Sequence, residues 1–321
     1  MPNPAIRGYG SDVLVALKKE TTYGTKPTGN WAKMPFSAVS LGSSRELLRD
    51  PVLGQGRDPY APQQGPVTVD GSITVPVDLR NFGHWLRGLL GAPVSVDQTT
   101  NWKHTFKSGA ASLPSCSLEV GHTKVGQFYP NVGVVVDSLD MSFSRSGFAS
   151  ATLQLIAQGE EGPNATTSGG TVSELAYLPF NRFQGAVKRA GSSVANLLDA
   201  SLRFSNNYER VETIRADGKI DGVDPTQASL SGQLKARFSD DTLITAGINN
   251  TAVDLEFSYV ISATQKLIIT CPEVYLPKPK LEVSGPGGVD LSFDFQGAKN
   301  TTLGCMMQVE LYNDVLNTVY A

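Results

Sequence analysis

The chain has 321 residues, with 27 Lys and Arg against 30 Asp and Glu and a formal net charge of −3. That balance argues against a nucleic-acid grip, which needs a basic surface to neutralise phosphates, and 40% hydrophobic content argues against disorder. The length suits two domains, each able to bury its own core, and no apolar run approaches a membrane span, so folding in a cytosol without a membrane partner is expected.

From the N-terminus, residues 1–35 read as an extended arm. Pro2, Pro4, Gly8, Gly10, Gly24, Pro27 and Gly29 interrupt any long element, and Met1–Arg7 has no signal-peptide core. Within the arm, Asp12–Leu17 has the pattern of a strand that could add to a neighbouring sheet. A first domain is expected over 36–160. In it, Asp78 is a candidate N-cap for a helix whose stripe is Leu79, Phe82, Trp85, Leu86, Leu89 and Leu90, with Gly91 at the left-handed C-terminal position. Residues 161–174, in a run rich in Gly, Thr and Glu, read as a linker. A second domain is expected over 175–321, with a weaker helix that Ser239 caps and that ends near Asn249–Asn250. The other segments alternate with period two, as in Val253–Ile261, Val289–Gln296 and Leu198–Ser205, which predicts antiparallel sheets with one buried and one wet face.

The two halves repeat one another. Val69–Asp78 aligns with Leu230–Ser239, with Gly71 and Gly232 set 161 residues apart, and Val39–Leu41 aligns with Ala200–Leu202 at the same spacing. A third block pairs Leu139–Phe143 with Val289–Phe293 at a spacing of 150. Three blocks in one order predict a duplicated domain. Long polar loops fall at matching places, Arg45–Pro66 and Asn206–Gln227, and loops of this length are uncommon without a task. Two similar faces in one chain point to rings or arrays. Arg45, Arg49, Asp50, Arg57, Asp58, Arg210, Arg215, Asp217 and Asp221 are therefore candidates for contacts between stacked rings, together with the N-terminal arm.

Val15–Pro27, the series ending in Asp78–Gly91, and the closing Val289–Gly297 and Val309–Asp314 resemble tail tube (major tail) proteins of long, non-contractile-tailed phages, over nearly the whole chain. The resemblance implies two tandem antiparallel β-sandwich or open-barrel domains, each with one flanking helix. Such domains form rings that stack into a hollow tube for DNA ejection. Single-domain members form hexamers, so a duplicated chain is expected to form trimers with pseudo-sixfold symmetry. The implied setting is the virion tail, assembled from protein made in the host cytoplasm. The implied partners are further copies of the chain, a tape measure protein, tail terminator and tip proteins, and genomic DNA that passes without specific binding. The two halves share few identities, so their ring contacts are expected to differ. A lumen must let a polyanion slide, which mildly acidic polar faces permit. Asp290, Asp294, Asp254, Glu256, Asp137 and Asp140 are the candidates for that face.

The signals for chemistry are weak, and neither an enzyme nor a cofactor is expected. His84, His104 and His122 have no nearby Cys partners, and no nucleophile elbow or phosphate-binding glycine loop occurs. Cys116, Cys271 and Cys305 are scattered and read as buried small hydrophobes. Asp217–Asp224 misses the alternating acids of a calcium loop, and Gly285–Gly288 reads as a hairpin turn. Two readings compete with the tube. One is a monomeric β-sandwich binding or adhesion module, which needs Trp31, Trp85 and Trp102 to gather into a platform. The other is an all-β glycosidase with two opposed carboxylates.

Overall fold

Strands with one apolar and one polar face must pack in layers that share a core, and the computed structural model, which describes residues 7–53, 56–194, 196–281 and 287–321, is mainly antiparallel β. The first half contains β1 (Val13–Lys19), β2 (Gly42–Leu48), β3 (Gln63–Pro76), α1 (Phe82–Leu90), β4 (Val94–Asp97), β5 (Trp102–Lys107), β6 (Cys116–His122), β7 (Gln127–Phe143) and β8 (Ser150–Ala157). The second contains β9 (Gly185–Arg189), β10 (Leu197–Ser205), β11 (Tyr208–Val211), β12 (Gly222–Pro225), β13 (Ser229–Arg237), α2 (Thr242–Ile248), β14 (Val253–Ser262), β15 (Gln265–Tyr275), β16 (Asp290–Gly297), β17 (Gln308–Asn313) and α3 (Asn317–Tyr320). Residues 1–6 of the expected arm and 285–286 of the expected hairpin turn lie outside the described residues.

The duplication is visible in strand order and in register. The first half runs β2–β3–β8–β7–β6–β1, and the second runs β10–β13–β16–β15–β14–β9. Shifting the pair Val39↔Ile73 by 161 residues gives Ala200↔Leu234, and shifting Gly42↔Asp70 gives Arg203↔Ser231; both pairs occur. Even the irregularities repeat. The β6–β7 ladder slips between Cys116↔Val134 and Leu118↔Asn131, and β14–β15 slips between Val253↔Val274 and Leu255↔Cys271. The two aligned glycines serve the same crossing. A Cβ on Gly71 would lie 2.5 Å from the Ser40 carbonyl, and one on Gly232 would lie 2.2 Å from that of Ser201, its counterpart.

The third sequence block is a mismatch. β16 pairs with β13 as β8 pairs with β3, so Val289–Phe293 corresponds to the start of β8, not to Leu139–Phe143 of β7. Short alternating strands resemble one another whatever their place in the sheet, which is why the block misled. The strand expected within the arm forms, and the sheet it joins is that of its own first half. β1 pairs along its whole length with β6 of its own chain, and Val15, Ala16, Leu17 and Trp31 are buried. The expected linker is a strap along the first half: Trp31 N–H donates to Gly169 O at 3.1 Å, Ser173 N–H donates to Trp31 O at 2.8 Å, and buried Glu119 accepts from Thr167 and Ser168.

Nor do the halves bury separate cores. Buried side chains of both form one cluster. β7 runs on beyond its own layer to pair with β10, and its Phe143 ring lies 4.9 Å from Phe257 and 5.3 Å from Tyr259 of the second half. The β4–β5 hairpin, which has no second-half counterpart, pairs through β5 with β17. α1 begins at Phe82, later than a cap at Asp78 implies. The Asp78 carboxylate accepts the N–H groups of Arg80 (3.3 Å) and Asn81 (3.1 Å), so it ties down a turn before the helix. Gly91 ends α1 at φ 95°, and α2 ends before Asn249, both as predicted.

Candidate assembly surfaces

The two long loops join equivalent strands but have different surroundings. Residues 206–227 fold back on the first half of their own chain. Arg210 pairs with Asp70, Val67 N–H donates to Gly218 O at 2.9 Å, and Gln158 Nε2 donates to Asp221 O at 3.1 Å. At the base, Asn206 Nδ2 reaches Leu89 O and Val136 O, both at 3.0 Å. Within this clasp Arg215 holds Asp217 and Asp221, each at 2.9 Å, and keeps the Asp217 carboxyl well below its usual range. Of the proposed ring-stacking residues, Arg210, Arg215, Asp217 and Asp221 are thus engaged inside the chain.

Among the described residues, no segment covers the outer part of the first-half hairpin in this way. β2 and β3 extend into the expected loop to Leu48 and from Gln63, leaving Arg49, Asp50, Arg57 and Asp58 exposed around the tip; Arg45 lies on β2, bonded to Gln64 at 3.1 Å. Apolar groups are exposed with them: Leu47 at 66%, Leu53 at 91% and Tyr60 at 52%. Among the described residues β2 is an edge, paired only with β3. An open edge and an apolar tip are surfaces that other chains can cover.

A third surface is the outward face of β3, β8, β7, β10, β13 and β16, which crosses from one half to the other without a break. Ser142, Ser150, Thr152, Ser201, Ser231 and Gln233 line a shallow groove on it. Three of the six lumen candidates lie here, each beside a counter-group. Asp140 pairs with Arg203 at 3.0 Å, Asp290 with Arg237 at 2.7 Å, and Asp294 accepts from Gln233 at 2.8 Å. The face is therefore hydroxyl- and amide-rich and charge-balanced, not acidic.

The other three lie elsewhere. Asp254 and Glu256 sit on β14, whose inward Phe257 faces Phe295 of β16 across the core at 6.2 Å, so they point away from the Asp290 face. Asp254 accepts from Ala190 N–H at 3.0 Å, and Glu256 pairs with Lys188 at 2.9 Å. Asp137 is at the junction of the halves, accepting from Tyr208 N–H at 2.9 Å. Alternation gives a residue's side of its strand, but it does not give the layer to which the strand belongs.

Buried polar groups tie distant segments together, both across the halves and within the first half. Tyr320, fully buried, donates to Arg80 O and accepts from Asn313 Nδ2 at 3.1 Å, while Asn313 also donates to Leu79 O at 2.7 Å. His104 joins the group through Nε2, 3.1 Å from Asn313 Oδ1. The Glu20 carboxylate accepts from Ser115, Ser117, Gly24 and Gly133 at 2.6–3.0 Å. These interactions span segments far apart in sequence, so no local pattern announces them. Among the described residues no group of three His, Cys, Asp or Glu could hold a metal, and no helix is long and apolar enough to cross a membrane. Trp31 and Trp85 are core residues and Trp102 stacks on His104, so the three form no exposed platform. The three cysteines are buried and free, and burial pushes the Cys116 thiol up to about 12.

A sequence profile described as phage tail tube protein matches residues 10–297. No curated protein matches the chain.

Proposed function

The chain belongs to the phage tail tube protein family, and we propose that copies of it form trimeric rings with pseudo-sixfold symmetry, stacked into the tube through which DNA is ejected. One observation carries the reading: the same fold occurs twice, but the junction between folds is used only once within the chain. Inside the chain, second-half strand β10 pairs with β7 and the 206–227 clasp covers the first half. Among the described residues, the first-half counterparts, the outer edge of β2 and the tip of the 45–66 hairpin, have no strand partner and no covering segment. A next copy offering its second half to them would repeat the contact, and three such chains would close a ring of six folds. Covalent linkage of two folds raises the effective concentration of half of these contacts. In this ring the hairpin acts between neighbours in one ring, rather than between stacked rings.

Each half is one tube domain, 36–160 and 175–321, and the charge-balanced face with Asp140, Asp290 and Asp294 lines the bore. Asp140 and Asp290 there are in ion pairs and Asp294 is held by the Gln233 amide, so passing phosphates meet few free cations to bind and few free anions to repel them. The role is structural, not enzymatic. The tape measure protein and the terminator and tip proteins are the expected partners in the virion tail. Negative-stain electron microscopy of the purified protein tests the assembly: rings or tubes are expected, and a compact monomer at every concentration would sink it. Converting Asp290 and Asp294 together to Lys should impair DNA ejection, and normal infectivity would remove them from the bore.

A further inference from the structure

We propose that the cleft at the C-terminal end of α1 receives a carboxylate from a second copy of the chain, which pairs with Arg87; this rests on the self-assembly reading above. Arg87 lies in the last turn of α1, a favourable place for a cation, yet only 8% of it is exposed. Its Nε has no hydrogen-bond partner, and no ion pair engages it among the described residues. Burial accordingly lowers its pKa.

The cleft above it has a volume of about 900 Å³, and its charged lining is Lys19, Arg87, Lys103, Lys107 and Glu310. Glu310 is already held by Lys103 at 2.6 Å. Lys19 and Lys107 donate to main-chain oxygens, those of Ala321 at 3.1 Å and Leu303 at 3.4 Å. Four cationic side chains therefore line the cleft with one acidic side chain, in a chain whose net charge is −3.

A desolvated guanidinium without a counter-ion is costly, and a carboxylate arriving in bidentate geometry offsets that cost. The cleft is too wide for a small anion to fill, whereas a polypeptide bearing an acidic side chain would both reach Arg87 and exclude water. Copies of this chain can supply it. In the two long loops, Glu46, Asp50, Asp58, Glu209, Glu212 and Asp224 are the exposed acids with no ion-pair partner among the described residues. The geometry of the free chain does not select one of the six, and the experiment is built to do so.

Assembly is measured by sedimentation and negative stain across protein concentration for wild type, Arg87→Met, Arg87→Glu and Ser112→Glu. Ser112 is an exposed residue on the rim, so its substitution places a competing carboxylate in the cleft without disturbing the core. Arg87→Met is expected to leave the free chain at least as stable while raising the concentration needed for assembly about tenfold or more. Ser112→Glu should act in the same direction. Arg87→Glu should block assembly, and Lys at one of the six acidic positions should restore it. Arg87→Glu and Ser112→Glu assembling at the wild-type concentration would overturn the pairing alone. Failure of all six exchanges to restore Arg87→Glu would overturn the long loops of a second copy as the source. A wild type that never assembles would overturn the ring reading, and this pairing with it.

Discussion

The hairpin at 45–66 and the clasp at 206–227 connect strands in identical register, yet one is bare and the other covered. The flanking helices contrast in the same way. α1 is locked by the C-terminal Tyr320, against whose ring a Cβ on Gly83 would come within 2.5 Å, whereas α2 buries only Leu243 and Ile244 and leaves Ile248 57% exposed. Repeating a fold thus fixes strand order and register, while the neighbours of each repeat decide which surfaces are finished. The first half has a finished helix and an unfinished hairpin, and in the second half this is reversed.

The largest test of that contrast is Tyr320→Ala. It removes a buried ring and its hydrogen bonds from α1 and is expected to cost about 3–5 kcal/mol in denaturant unfolding; a loss below ~1 kcal/mol would mean the helix is not locked from the C-terminus. Acidification probes the same place. His84 Nε2 is enclosed without a partner, and burial lowers its pKa from 6.5 to about 4. The unfolded chain therefore takes up this proton first, so stability falls as pH drops from about 6.5 to about 4, by at most ~3 kcal/mol. His84→Gln should flatten that part of the melting-temperature profile, and an unchanged profile would assign the loss to other groups.

Gly71→Ala and Gly232→Ala test what the halves share. Each should cost about 1–3 kcal/mol, because the partner carbonyl must move. If one half accepted the change freely, the crossings would not be equivalent. The smallest difference concerns the loops. Replacing 208–225 by a short turn should cost the monomer about 1–2 kcal/mol, since it removes the Arg210–Asp70 pair and the bonds around it. Removing 49–62 should change monomer stability by less than ~0.5 kcal/mol while abolishing assembly. Equal effects on the monomer would erase the contrast.

Much of this was legible in the sequence because strands and helices announce themselves locally. The Gly71–Gly232 spacing gave the register of two strand pairs, and Gly91 gave the end of α1. What sequence reading missed depends on distant partners. Asp254 and Asp290 carry the same alternating signal but lie on opposite layers, because layer is set by which strand each one pairs with. That Val13–Lys19 would join a sheet was readable from its alternation, but nothing in it names β6 as its neighbour. Nothing in the sequence singles out Arg87, and only the fold shows that the acid lining its cleft, Glu310, is already held by Lys103.

The exchange of parts between the halves has a consequence for anyone hoping to study them one at a time. Severed at the strap, the C-terminal piece would forfeit Phe143 from beneath Tyr259 and β5 from beside β17, while the N-terminal piece would lose the tyrosine that seals its helix. Whatever free-standing ancestor was copied, its descendants have become organs of one body, and dissection should yield two insoluble fragments instead of two small proteins.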